Sequence, residues 1–130
     1  MAQSWLDQLK WNAEGFLPVI AKDVNSGRIL MQAWVNREAL AAAQKEGHAV
    51  YWSRSRSKLW RKGEESGHVQ KLSGIYLDCD GDSLIYEVEQ IGGIACHTGH
   101  NSCFYRKLEN NEWLDIEPVI KAPEEIYNKQ

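Results

Sequence analysis

Hydrophobic and polar positions alternate along much of this chain. Between positions 83 and 90, Leu84, Tyr86 and Val88 alternate with Ser83, Glu87 and Glu89. Successive side chains of a strand point to opposite faces, so a period of two predicts a strand with one buried face. Strands are predicted on the same reasoning over 16–24, 29–35, 48–53, 67–80, 83–90 and 102–108. The turn residues Asn25-Ser26-Gly27-Arg28 join the first pair as a hairpin. Asn110-Asn111 turns the last strand back, and 113–116 pairs with it. The period becomes helical in two places. Ser4 caps a short helix over 4–10 with Trp5, Leu6 and Leu9 on one face. Asn36 caps a second over 37–46, rich in Ala and Leu, and Gly47 stops it. The pattern predicts a β-rich α+β fold: an antiparallel, barrel-like sheet with two short helices.

Length and charge narrow the class. At 130 residues the chain is one domain, 1–130, able to bury a core but not to divide in two. A net charge of −3 gives no basis for general nucleic-acid binding. The N-terminus carries no signal peptide, and no apolar segment approaches a membrane span. Three cysteines without a secretory signal predict a reducing, cytoplasmic compartment and metal or catalytic use of the thiols. Six tryptophans are many for this size, enough for both core packing and ligand stacking.

The candidate chemistry gathers between Asp78 and Tyr105. The stretch opens with Asp78-Cys79-Asp80-Gly81-Asp82 and ends with Ala95-Cys96-His97-Thr98-Gly99-His100-Asn101-Ser102-Cys103. All the cysteines lie inside it. Thiolates are soft ligands that suit zinc, whereas clustered carboxylates are hard ligands that suit magnesium or calcium. Two metal sites of different character are therefore predicted side by side. If the strand runs through Asp80, Asp78 and Asp80 share a face, joined by Asp82 after a gentle turn at Gly81. Cys79 then faces the other way, toward Cys96 and Cys103. Three thiolates leave one tetrahedral position open for water, the catalytic arrangement of zinc. His97 as a fourth ligand would close the site. Its adjacency to Cys96 in an extended segment favours an outer or general-base role instead. His100 reaches a metal only if 96–103 coils into a turn. The blander readings are buried free cysteines and an acidic β-turn. An EF-hand loop fits poorly, because the flanks are strand-like and the closing Glu is missing.

One further run stands apart: Tyr51-Trp52-Ser53-Arg54-Ser55-Arg56-Ser57-Lys58-Leu59-Trp60-Arg61-Lys62-Gly63-Glu64. Five of the fifteen Lys and Arg residues fall here, interleaved with serines and two tryptophans. Guanidinium forks and hydroxyls suit phosphate oxygens. One short basic run without a wider basic surface fits a small phosphorylated ligand better than single-stranded nucleic acid. The alternative is a solvated basic loop.

These motifs, together with Leu30-Met31-Gln32-Ala33-Trp34-Val35-Asn36 and Leu59-Trp60-Arg61-Lys62-Gly63-Glu64-Glu65-Ser66-Gly67-His68-Val69-Gln70, resemble those of the phosphoribosyl-AMP cyclohydrolase family of histidine biosynthesis. The resemblance runs from about Phe16 to Tyr105. Gly93-Ile94 stands where the family usually has a proline, and His100 where an arginine is frequent. The resemblance implies an intertwined homodimer with zinc and magnesium at the interface. Cys79, Cys96 and Cys103 resemble the zinc ligands, Cys79 coming from the other subunit. Asp78, Asp80 and Asp82 resemble the magnesium ligands. The implied reaction opens the adenine ring of 1-(5-phosphoribosyl)-AMP: zinc-bound hydroxide attacks C6 and the N1–C6 bond breaks. His97 is the implied base. Arg54, Arg56 and Lys62 are expected at the phosphates and Trp52 or Trp60 on the purine. The chain is too short for the pyrophosphohydrolase domain of some relatives, so a single activity is expected. The alternatives are another zinc-dependent hydrolase or deaminase of purine nucleotides, whose Pro-Cys-x-x-Cys pattern is absent here, and a zinc-stabilised nucleic-acid module, which needs a fourth protein ligand and a basic face.

Overall fold

The computed structural model describes residues 4–96, 99–117 and 119–120. Strands β1 (Leu17–Asp23) and β2 (Ile29–Val35) form an antiparallel hairpin. Asp23 shapes its turn by accepting from the Asn25 and Ser26 amides and the Ser26 hydroxyl at 3.2, 2.7 and 2.9 Å. Helix α1 (Arg37–Glu46) starts where the Asn36 side chain accepts from the Ala39 amide at 2.8 Å. It stops at Gly47, whose φ of 74° is the left-handed conformation that glycine adopts without strain. Strands β3 (Val50–Ser53) and β4 (Lys58–Arg61) pair as a separate hairpin. Strand β5 (Gln70–Leu77) turns through the Asp78–Asp82 segment into β6 (Leu84–Gln90). Strands β7 (Arg106–Glu109) and β8 (Glu112–Asp115) form a third two-stranded sheet.

The main sheet has the order β2-β1-β6-β5. Its buried face carries Leu17, Val19 and Ala21 of β1 and Leu84, Tyr86 and Val88 of β6, as the alternation in β6 predicts. Ala39, Leu40 and Ala43 of α1 join the same core. Among the described residues no helix is long and apolar enough to cross a membrane.

Several expectations need correction. The sheet is mixed: β1 and β6 lie parallel, with Val19 opposite Leu84. Parallel neighbours need a crossover; here the chain passes through β2, α1, β3, β4 and β5 before returning as β6. The four-stranded sheet is also open, with β2 and β5 at its edges, so no barrel closes. The N-terminal helix is a four-residue 3-10 turn, Trp5–Gln8. It ends because Leu9 is extended and the Lys10 amide bonds to the Gly81 carbonyl at 2.8 Å. The strand expected over 67–80 is shorter at both ends, and the one expected over 102–108 begins only at Arg106.

Candidate metal centre

The carboxylates converge, though by a turn and not by strand alternation. β5 ends at Leu77, and the Asp78 backbone is held by the Ser83 carbonyl at 3.0 Å and the Gly81 amide at 3.1 Å. Gly81 has φ +75°, which lets the chain double back. Ligand oxygens of Asp78, Asp80 and Asp82 all lie within 4.8 Å of one another at the exposed surface. The Asp82 amide bonds to an Asp78 carboxylate oxygen at 3.0 Å, which is the main reason the Asp78 acid is held below its usual range. Asp82 is pushed upward, chiefly by its hydrogen bond with Asp78, then by desolvation and by the like charges of Asp78 and Asp80. Three hard oxygen donors this close suit a hard divalent cation, which relieves their repulsion.

Cys96 and Cys103 also come together. β6 leads through a 3-10 turn over Ile91–Gly93 into a tight reversal, where the Ala95 amide bonds to the Asn101 carbonyl at 3.1 Å and the Cys96 amide to the His100 carbonyl at 3.2 Å. Ser102, fully buried, clamps the returning segment. Its hydroxyl donates to the Ile29 carbonyl at 2.7 Å and accepts the Phe104 amide at 2.9 Å, while the Cys103 amide bonds to the Leu30 carbonyl at 2.6 Å. Cys96 is buried and Cys103 keeps an exposed edge. Protein packed around the Cys103 sulfur pushes the thiol up to about 12, with the neighbouring Cys96 thiol adding by charge and a hydrogen bond. Two soft donors at one point fit part of a zinc site, since a metal supplies the charge that makes such buried thiolates favourable.

Cys79 is elsewhere. It is exposed in the acidic turn, before β6, whereas Cys96 follows β6. The seven residues of that strand span roughly 20 Å at about 3.4 Å each. Among the described residues of one chain, the three cysteines do not form a ligand cluster. The soft and hard sites are thus at opposite ends of a strand, where alternation had placed them on opposite faces side by side.

The β3–β4 hairpin borders a cleft of about 660 Å³ lined by Ser55, Arg56, Lys58, Trp60 and Lys62 among others. Trp60 packs 5.4 Å from the Tyr51 ring and keeps an exposed edge. Arg54 instead stacks over Trp34 at 4.4 Å, and Trp52 packs against the core. Lys62 reaches past the cleft wall, donating to the Ala95 carbonyl at 2.5 Å. Burial lowers the Lys62 pKa, while Cys103 and Cys96 favour its charged form. The bond to Ala95 anchors its ammonium to the residue before Cys96.

His97 lies outside the described residues. The Gly99 amide bonds to the Cys96 carbonyl at 3.0 Å, but the His100 ring stacks on Tyr105 at 3.6 Å and an interplanar angle of 3°. His68 packs against Gly92, where an added Cβ would lie 2.5 Å from its Cδ2. Sequence reasoning missed Ser102 as the clamp for Cys103; a serine beside a cysteine in a polar loop carries no signal of its own. It also missed a buried relay in which the Tyr51 hydroxyl donates to Gln70 at 2.6 Å and the Gln70 amide to Gln90 at 2.9 Å. Gln90 then donates to the His68 carbonyl at 2.9 Å. Two glutamines at strand ends read as exposed positions, and only the fold buries them.

Comparison with known proteins shows the family. Residues 31–105 match the family model described as phosphoribosyl-AMP cyclohydrolase. The chain is 62% identical over 129 residues to the phosphoribosyl-AMP cyclohydrolase of Nitrosomonas europaea, covering 99% of this chain and 100% of that protein. It is 62% identical over 125 residues to the protein of the same name from Pseudomonas aeruginosa, covering 96% and 93%. A third relative, from Stutzerimonas stutzeri, is 62% identical over 124 residues, 95% of each chain. The chain belongs to the phosphoribosyl-AMP cyclohydrolase family.

Proposed function

We propose that this protein hydrolyses the N1–C6 bond of 1-(5-phosphoribosyl)-AMP, a cytoplasmic step of histidine biosynthesis, at a metal centre shared between two copies of the chain. The relatives' name supports the reaction. The observation that carries the shared centre is the separation of Cys79 from the Cys96–Cys103 pair by the length of β6. In a two-fold dimer the acidic turn of one chain covers the thiol pair of the other. That contact completes a three-thiolate set and brings Asp78, Asp80 and Asp82 beside it. The C-terminal hairpin supports a partner as well, since it leaves Leu108, Trp113 and Leu114 exposed.

The substrate's second ribosyl group on N1 weakens ring aromaticity and makes C6 electrophilic. Cys96 and Cys103, with Cys79 of a second copy, would hold zinc, which would lower the pKa of a water and so supply the nucleophile. The chain's residues orient and move protons around that event. Arg56 and Lys58 hold phosphate at the cleft, and Trp60 stacks on the base. Asp78, Asp80 and Asp82 would hold magnesium, which would neutralise phosphate charge. His97 takes a proton from the attacking water. Oxygen adds to C6, the N1–C6 bond breaks, and a proton passes to N1, leaving a carboxamide at C6 and a formimino group that retains N1.

An assay with phosphoribosyl-AMP, followed by the ultraviolet change on ring opening, tests this reading. Turnover that a zinc chelator removes and zinc restores is expected. Absence of ring opening by metal-replete protein overturns it.

A further inference from the structure

Lys62 stands at the junction of the basic cleft and the thiol pair, and its surroundings fix it there. It follows β4, and its amide bonds to the Ala49 carbonyl at 3.3 Å. The next residue, Gly63, has φ +84° and packs so closely that an added Cβ would lie 2.3 Å from the His68 carbonyl carbon and the Val69 nitrogen. The backbone at Lys62 therefore has little room to drift. The side chain runs over Trp60, with Nζ 5.4 Å from the ring centroid, and ends on the Ala95 carbonyl, one residue before Cys96. The ion pairs among the described residues are Arg28–Glu117, Arg37–Asp7, Arg61–Glu46, Arg106–Asp115 and Lys107–Glu109. None uses Lys62.

A half-buried ammonium without a carboxylate partner is costly unless other negative charge compensates it. Here the ammonium is anchored on the Ala95 carbonyl, one residue before Cys96, at the thiol end of the chain reversal. The compensation is mutual: the cation offsets the accumulation of negative charge when the thiols become the thiolates a metal needs. We infer that Lys62 is a positioning residue of the thiol centre, its ammonium balancing Cys96 and Cys103 and holding the Ala95 carbonyl, and that it governs how tightly a soft divalent metal is kept. The sequence alone had assigned it to substrate phosphate. The inference rests on reading Cys96 and Cys103 as metal ligands.

Three full-length variants test it: Lys62→Met, which removes charge and donor, Lys62→Gln, which keeps an N–H donor, and Lys62→Arg, which keeps the charge. Zinc affinity is measured by competition with a chromogenic chelator. The thiolate-to-cobalt charge-transfer bands of the cobalt(II) form report the ligand set, and thermal melting of the metal-free form reports folding. Both neutral variants should keep the metal-free melting point and lose zinc affinity by about 10–100-fold, the range found when a group behind a ligand is removed. Their cobalt bands should weaken at limiting cobalt. Lys62→Arg should stay within about threefold of wild type, because the charge remains. If Lys62→Met does not fold, Lys62→Gln against Lys62→Arg decides. Wild-type zinc affinity in a neutral variant, with only KM for the phosphorylated substrate raised, overturns the inference and returns Lys62 to the phosphate. If wild type itself binds no zinc through its thiols, the reading of the thiol pair fails, and the inference falls with it.

Discussion

Cys79 and Cys96 lie beyond opposite ends of β6, Cys79 in the turn before Leu84 and Cys96 after Gln90. Among the described residues of one chain, Cys79 forms no ligand cluster with Cys96 and Cys103. Each end is instead built independently: one by a turn that gathers carboxylates, the other by a reversal that gathers two thiols.

Cys96→Ser is expected to abolish turnover and to lower zinc content to a small fraction of one per chain. Removing one of three thiolates leaves too few soft donors to keep a catalytic zinc. Metal analysis after dialysis checks the content, and full activity of metal-depleted protein given only magnesium contradicts the expectation.

Asp80→Asn should weaken the magnesium dependence of turnover while zinc stays bound. The carboxylate cluster and the thiol pair are on different elements of the chain, so the loss of one hard donor falls on the hard site. Zinc content and the magnesium titration are read on the same preparation; lost zinc with an unchanged magnesium response reverses the assignment.

Asp23 gives a pH signature of folding. Burial pushes its carboxyl up, but bonds from Ser26 and Asn25 outweigh this and hold it below the usual 3.8. A depressed folded pKa contributes stability above the unfolded value, and that contribution disappears as pH falls through the folded value. Asp23→Asn should therefore cost at most about 1 kcal/mol at neutral pH, since the site is partly exposed and solvent screens the charge. Urea denaturation at pH 7 and pH 3 should show the gap closing in acid. An equal gap at both pH values contradicts this.

Gly63→Ala should unfold or strongly destabilise the cleft wall. The new Cβ meets backbone, not a flexible side chain, and the φ of +84° is itself unfavourable for alanine. A melting temperature within about 2 °C of wild type, less than the shift expected for 1 kcal/mol, would contradict the close approach.

The sequence spoke clearly where local chemistry decides. Asn36 and Gly47 bound α1 at the residues read from the sequence, because capping is a local matter. The turn at Asn25–Arg28 and the buried face of β6 were equally legible. The parallel pairing of β1 with β6 was not, because alternation reports which face a residue occupies and not which strand lies beside it. The same limit applied to the site. Alternation separated Cys79 from its aspartates by face, whereas the described fold ends β5 at Leu77 and leaves the whole acidic motif in a turn. Lys62 and Arg54 read alike as phosphate cations, yet a tertiary contact turns one to the Ala95 carbonyl and the other to the Trp34 ring. His97, the expected base, lies outside the described residues.

The shared centre is tested most directly by mixing two inactive mutants. Cys79→Ala and Cys96→Ala homodimers should each be inactive. Co-refolded in equal amounts, about half the dimers are mixed under random pairing, and in each of these one centre collects both defects while the other is intact. Roughly a quarter of wild-type activity should return by that symmetry. If all three thiols served a centre within one chain, every centre would carry a defect. A preparation shown to contain mixed dimers that stays inactive contradicts the account.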